Sequence, residues 1–551
     1  MISIFTAVKN NPIAQTRLVF SLIAVFLAPI IFLGFHPYHD GLMLSTLQLT
    51  KSAFLEGTTL PFNQYGTIWT LPYVLFSIAF PSEYFFFSTK LLSWMMILLS
   101  LRLTYCVSKS LSSHKTAILV TAIFVSSYPL LSAPVPWPSI PATLTINYMA
   151  FIVLKTCNQN ILKVGGVLQV ISLGIASFFL LSSRIQVGLL AFVSICLIFL
   201  LYRLLIHSII FISSFFIGVG GWCLYLQQKH SLADVLFDTI LFPRVYIGSI
   251  NSQTFPQTSL LITASVLLLY TFWIRCGAQT LSQLDLRIPA SGLFIIFLII
   301  RLDVDSVFAR ILSRVWVGIF LAAFLLAISL LMRKTFLRET NPGVLGVFLL
   351  AISSLSQLYP LFDSYHLWWG GMLGLATIAY GLQSLQNTKR ATSKGFAIYL
   401  SLFFLLSNVF SVPYILRQSS LSPFPSSITK LMFVESSQAQ DAKTFNSWLM
   451  SSSKGDVRVL NICPIAAPFY DVRFQSASRF HVIFPFQSLI QQSQFSVPRS
   501  GLGIFCSNDD SASLTTFLPQ TLRISFDGSS ISAWGYRWTS FRYEDPSNIS
   551  D

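Results

Sequence analysis

Apolar stretches long enough to cross a bilayer recur along this chain from Leu18 to about Pro413. Inside lipid such a stretch must satisfy its own backbone hydrogen bonds, which for stretches of this length leaves the α-helix. Charged residues make up 10% of the chain, against about 25% in soluble domains. The fold class is therefore a polytopic α-helical membrane protein.

Loop charge orients the spans, because Lys and Arg gather on the cytoplasmic side. Lys9 and Arg17 precede the first stretch, Leu18 to Leu33, which lacks a small-residue cleavage site and reads as a retained span rather than a signal peptide. It delivers His36 and Asp40 to the outside. Tyr65 to Phe80 is short for a span and is read as re-entrant; counting it as a span reverses everything downstream. Further spans are expected at 85–107, 116–131, 167–181, 189–201, 209–226, 260–273, 290–300, 315–331, 344–358, 367–382 and 396–409, with one more between Pro141 and Lys155, giving about thirteen in all. Arg333, Lys334 and Arg338 mark the inside most clearly, and Arg301, Arg310 and Arg314 are the outer-side exception. The formal net charge of +15 sits mainly in these short loops, which argues for membrane orientation and against nucleic acid as a partner.

Residues 1–413 form the transmembrane domain, with 36–80 as the first extracytoplasmic loop, and 414–551 form a small extracytoplasmic α/β domain. In that tail, Ala442 to Met450 reads as a helix, and Val457 to Ile462, Gly503 to Cys506, Leu522 to Phe526 and Ser532 to Trp538 read as strands. It serves either as a passive cap or in substrate binding. Cys463 and Cys506 flank predicted strands, face an oxidising compartment in this topology, and are candidates for a disulfide. The seven cysteines show no CxxC or Cys/His cluster, so no structural zinc site is expected.

An ionisable group where a chain leaves the membrane is a site candidate. Asp40 stands there with His36, His39 and Tyr65 around it, followed by Leu60-Pro61-Phe62 and Gln64-Tyr65-Gly66. Capping a surface helix that starts at Gly41 is the alternative role for Asp40, and the two are compatible. Arg184-Ile-Gln186-Val-Gly188 and Arg244 fall in outer loops, where a guanidinium suits a lipid phosphate; for Arg184 the alternative is snorkelling to headgroups. Asp363 and His366 stand three apart, on one face of any helical turn, unless Asp363 merely caps a span end. Asp303-Val-Asp305 has a metal-binding look but reads more readily as an ion-pair cluster with Arg301 and Arg310. No metal ligand is assigned; no cofactor is certain, and a divalent metal is the one such a motif admits.

The run from Asp40-Gly41 through Gly57 to Leu60-Pro61-Phe62 and Gln64-Tyr65-Gly66 resembles the first extracytoplasmic loop of the GT-C superfamily of integral-membrane glycosyltransferases. Arg184 to Gly188 is similar to a Lys/Arg-x-x-x-Gly element of related transferases. Gln357-x-x-Pro360-x-x-Asp363-x-x-His366 is similar to an element whose histidine lies near the donor phosphate. The resemblance implies a GT-C-like fold and an inverting transfer of a sugar from a polyprenyl-phosphate donor to a cell-envelope glycan, lipid or protein acceptor. It places the active site on the outer face of the cytoplasmic membrane, with Asp40 as catalytic base and His36, His39, Tyr65, Arg184, Gln186, Arg244, Asp363 and His366 around the substrates. A transporter or lipid flippase, or a noncatalytic envelope-assembly subunit, is the alternative. Transporters place ionisable groups near the bilayer midplane, whereas here they gather at one face, which favours the enzyme.

Overall fold

Asn11 opens the first helix, α1 (Pro12–Leu27), by accepting the Ile13 and Ala14 amides on its side chain, with Pro12 where a missing N–H costs nothing. The computed structural model describes residues 11–35, 37, 39–57, 60–126, 135–158, 164–229, 231–242, 263–264, 307–336, 341–358, 364–386, 420–463, 465–471, 473–478, 481, 500–507 and 523–544. A short turn of helix, Pro29–Phe32, extends α1. Then come α2 (His39–Glu56), α3 (Leu71–Ser77), α4 (Phe85–Leu111), α5 (His114–Ser126), α6 (Ser139–Asn158), α7 (Val164–Ser183), α8 (Ile185–Leu201) and α9 (Leu205–Gln228). Beyond them lie α10 (Val307–Phe336), α11 (Pro342–Leu355), α12 (Ser364–Gly371) and α13 (Gly374–Gln386).

Among the described residues four helical segments are long and apolar enough to cross a membrane: Pro12–Phe32, Ser82–Leu111, Gly166–Ser183 and Leu205–Gln228. The chain is a mostly helical membrane protein with a small sheet region. The spans expected at 290–300 and 396–409, and nearly all of 260–273, lie outside the described residues. The ambiguous stretch after Tyr65 contains the 3-10 turn Ile68–Thr70 and α3, which together rise about 16 Å, half of a bilayer core. Two expectations need correction. The segment carrying Arg310 and Arg314 is not a loop, since α10 is helical from Val307. The prolines at 134, 136, 138 and 141 predict a rigid loop throughout, yet α6 begins at Ser139, and Pro141 falls in its first turn, where no intrahelical bond is lost.

Small polar side chains join the helices where backbones approach, as expected in an apolar medium. Tyr148 Oη donates to Ser172 Oγ between α6 and α7 (3.0 Å), the Ser194 and Ser353 hydroxyls pair between α8 and α11 (3.2 Å), and Thr143 of α6 donates to the Trp369 carbonyl of α12 (2.8 Å). On α9, Leu205, Ile206, Ile209, Phe216, Ile217 and Leu224 are exposed, an apolar face suited to lipid.

The tail holds a pair of strands, β1 (Leu421–Pro423) and β2 (Phe433–Glu435), then helix α14 (Ser436–Ser453) and a five-stranded mixed sheet. Its strands are β3 (Arg458–Ile462), β4 (Gln475–Ser476), β5 (Ser500–Ser507), β6 (Arg523–Ala533) and β7 (Tyr536–Glu544), in the order β4-β3-β5-β7-β6. Phe445 of α14 packs on Trp538 with ring centroids 4.6 Å apart. Ser532 to Trp538 is not one strand: Ala533 pairs with Tyr536 across Trp534 and Gly535, which have φ of 52° and 75° as a two-residue hairpin turn requires. Cys463 and Cys506 form a disulfide with Cα atoms 5.3 Å apart.

Candidate functional site

Asp40 is buried (5% exposed) in the first turn of α2, where a carboxylate is favoured by the helix dipole. The helix starts at His39, so Asp40 lies inside it, not ahead of it as the capping reading requires. Its Oδ1 accepts the amide of Val135, 95 residues along the chain, at 3.1 Å. Lys90 of α4, also buried, donates from Nζ to the carbonyls of Leu33 (3.1 Å) and Gly34 (2.5 Å), and its charge and that of Asp40 attract each other.

Val135 opens the segment that gathers the site. Two residues on, Trp137 meets His39 edge-on (centroids 5.8 Å apart, 81° between planes) and Tyr65 (5.6 Å, 61°). Arg184 lies over the Tyr65 ring, 4.6 Å from its centroid, and donates from Nη2 to Ser139 Oγ (2.5 Å). Burial pushes the Tyr65 phenol above its usual pKa, and the neighbouring Arg184 charge pulls it part of the way back.

Arg184 is held by the backbone on both sides. It is the single extended residue between α7 and α8, its amide donating to Leu180 O (2.7 Å) and its carbonyl accepting from Gly188 N (2.9 Å). A side chain at Gly188 would overlap the Leu181 backbone, so the Arg-x-x-x-Gly spacing is what lets two helices turn tightly around this arginine. Gly66, at φ +83°, packs so closely on the Ser182 carbonyl that a Cβ there would overlap it, which brings Tyr65 to Arg184. The Asn63 amide donates to Asp238 Oδ2 (3.0 Å), fixing the other side of this loop. Arg184 is only 7% exposed, so the snorkelling reading does not hold; among the described residues its Nε has no hydrogen-bond partner.

Of the other candidates, Gln186 sits half-buried in the first turn of α8 and His366 half-buried in α12. Thr143, bonded to the Trp369 carbonyl, is one helical turn, about 6 Å, beyond Ser139, which holds Arg184. His366 is one turn before Trp369, so α12 comes to the same end of α6 as the arginine. Gln357 is buried, and among the described residues its carboxamide has no hydrogen-bond partner. His36, Arg244, Asp303, Asp305 and Asp363 lie outside the described residues. Among the described residues no three His, Cys, Asp or Glu side chains are grouped to hold a metal ion.

The sequence reading missed Trp137, Ser139, Lys90 and Tyr470. A tryptophan between prolines 136 and 138 was the available signal for the first two. Tyr470, from the tail, lies against Asp40 and Gly41: a side chain at Gly41 would overlap its hydroxyl.

No family model and no curated protein matches the chain. Among solved structures it is similar to the Archaeoglobus fulgidus oligosaccharyltransferase complexed with Zn and sulfate, with a TM-score of 0.41 and 10% identity over 78% of this chain and 55% of that one. It is likewise similar to the Archaeoglobus fulgidus oligosaccharyltransferase AglB in complex with an inhibitory peptide and a dolichol-phosphate, with a TM-score of 0.41 and 9% identity over 78% of this chain and 57% of that one. The chain thus spans little more than half the length of either archaeal protein.

Proposed function

We propose that the chain is an inverting integral-membrane glycosyltransferase of the GT-C type, moving a sugar from a polyprenyl-phosphate donor to a cell-envelope glycan, lipid or protein acceptor. The observation that carries this reading is the meeting of Asp40, His39, Tyr65 and Arg184, distant in sequence, on the short segment Val135 to Ser139. A buried carboxylate and a buried guanidinium in one polar cluster suit a reaction that takes a proton at one end and releases a phosphate at the other.

Asp40 accepts the proton of the acceptor hydroxyl as its oxygen bonds to the anomeric carbon. The bond from that carbon to the phosphate oxygen breaks on the opposite face, and the lipid phosphate leaves against Arg184. Lys90, buried in α4, lies close enough to Asp40 for their opposite charges to attract. The Cys463–Cys506 disulfide supports an oxidising compartment for the tail, and the tail lies on the same side as Asp40.

The test is Asp40→Asn in the full chain reconstituted in lipid nanodiscs and supplied with labelled undecaprenyl-phosphate hexoses. Transfer should fall roughly 10²- to 10⁴-fold while undecaprenyl phosphate still binds. Full transfer by the Asn variant would reject Asp40 as the base and return the chain to the transporter reading.

A further inference from the structure

The tail is fastened to the end of the first span, to the start of α4 and to α2. The Gly34 amide donates to Phe433 O (3.3 Å), the Phe86 amide to Ile428 O (3.0 Å), and Thr46 Oγ1 pairs with His481 Nε2 (3.0 Å). Between these contacts the Tyr470 side chain reaches the turn that carries Asp40. Tyr470, from the 3-10 turn Ala467–Tyr470, is 2% exposed and stands edge-on to Phe35, with centroids 5.3 Å apart and planes at 90°. Its hydroxyl donates to the Pro37 carbonyl at 2.8 Å.

The same hydroxyl occupies the space that a Cβ on residue 41 would need, so only glycine fits there. Pro37 is three residues before Asp40 and Gly41 one residue after it. The phenol therefore grips the backbone on both sides of the carboxylate. We infer that Tyr470 is a positioning residue for Asp40, so that the C-terminal domain completes the active site instead of capping it passively. This rests on the reading of Asp40 as the base. Burial, helped by the Asp40 charge, raises the phenol pKa well above its ordinary value, which keeps the hydroxyl a donor across any working pH.

The choice of tyrosine follows from the partner. A phenylalanine would fill the same volume but would leave the Pro37 carbonyl without this donor and the first turn of α2 free to shift. Displacements of about 1 Å in a catalytic group cost on the order of 10²-fold in rate.

The experiment uses the full chain in nanodiscs with labelled undecaprenyl-phosphate hexoses as donors. Tyr470→Phe should lower kcat by about 10- to 100-fold with the donor KM within about twofold of wild type. In an Asp40→Asn background the same change should add no further loss, because Tyr470 acts through Asp40. Hydrogen exchange should rise over residues 37–44 and stay unchanged over 436–453, which separates a loosened turn from an unfolded tail. Wild-type kcat and exchange in Tyr470→Phe would overturn the inference, as would a full additional loss in the Asp40→Asn background. Activity retained by Asp40→Asn alone removes the base reading itself, and that result is obtained before any variant at 470 is made.

Discussion

Arg184 shows how a few residues were legible only in part. Its charge and the glycine four positions later are visible in the sequence, but the Tyr65 ring beneath it and the Ser139 hydroxyl beside it lie more than a hundred and about forty-five residues away. Local strings reveal which groups carry chemistry; they do not reveal which distant groups receive them. Lys90 and Tyr470 were invisible for the same reason, since their partners near Asp40 are 57 and 433 residues distant. Because a guanidinium offers a flat fork over the ring and an ammonium does not, Arg184→Lys should weaken undecaprenyl-phosphate binding at least tenfold and, since the residue is buried against Tyr65 and Ser139, lower the thermal midpoint as well, as titration and melting would show. His481 gives a prediction in pH. Burial holds its imidazole at a pKa of about 3, against 6.5 when unfolded, so the folded state resists its protonation. The stability it contributes is complete above about pH 6.5 and is lost as pH falls toward 3. Acid melts of wild type and His481→Gln should therefore diverge above pH 6 and converge below 4; parallel curves would remove this role.

At the scale of elements, the helices were easier to read than the turns between them. Apolar length is a property of one segment, so α4, α7 and α9 announce themselves. The hairpin at Trp534-Gly535 was read as part of a strand because Trp534, Tyr536 and Trp538 alternate straight through it, and the single glycine was the signal to stop. The prolines at 136 and 138 mark the segment Val135 to Ser139 as stiff, but nothing local marks it as the hub of the site. Trp137 there makes ring contacts to both His39 and Tyr65, so Trp137→Ala should loosen two elements at once. A loss of about 3–5 kcal/mol is usual for removing a buried tryptophan, and the measurement is a shift in detergent-solubilised melting with accelerated exchange over 39–44 and 60–70. An effect confined to 135–140 would show that the segment does not organise the site.

For the whole molecule, the disulfide and the docking contacts together decide how the tail behaves. Cys463 and Cys506 are 43 residues apart, and closing a loop of that size restricts the unfolded chain by about 2–4 kcal/mol. Cys463→Ser with Cys506→Ser should lower tail stability by that amount, read from limited proteolysis of the tail; no change would mean that the packed sheet suffices. A reporter fused after Lys334 should report cytoplasm and one after Ser419 the outside, since loop charge and the tail's attachment beside Asp40 both require it. The bond between Thr46 and His481 spans 435 residues, and this has a consequence in time. At about 5–20 residues per second, a ribosome that has placed α2 at the membrane needs roughly 20–90 s more to deliver the residues that α2 is built to hold. Throughout that interval the helix bearing Asp40 waits with its docking face bare, a stage at which membrane chaperones and proteases would meet a fold still lacking one wall.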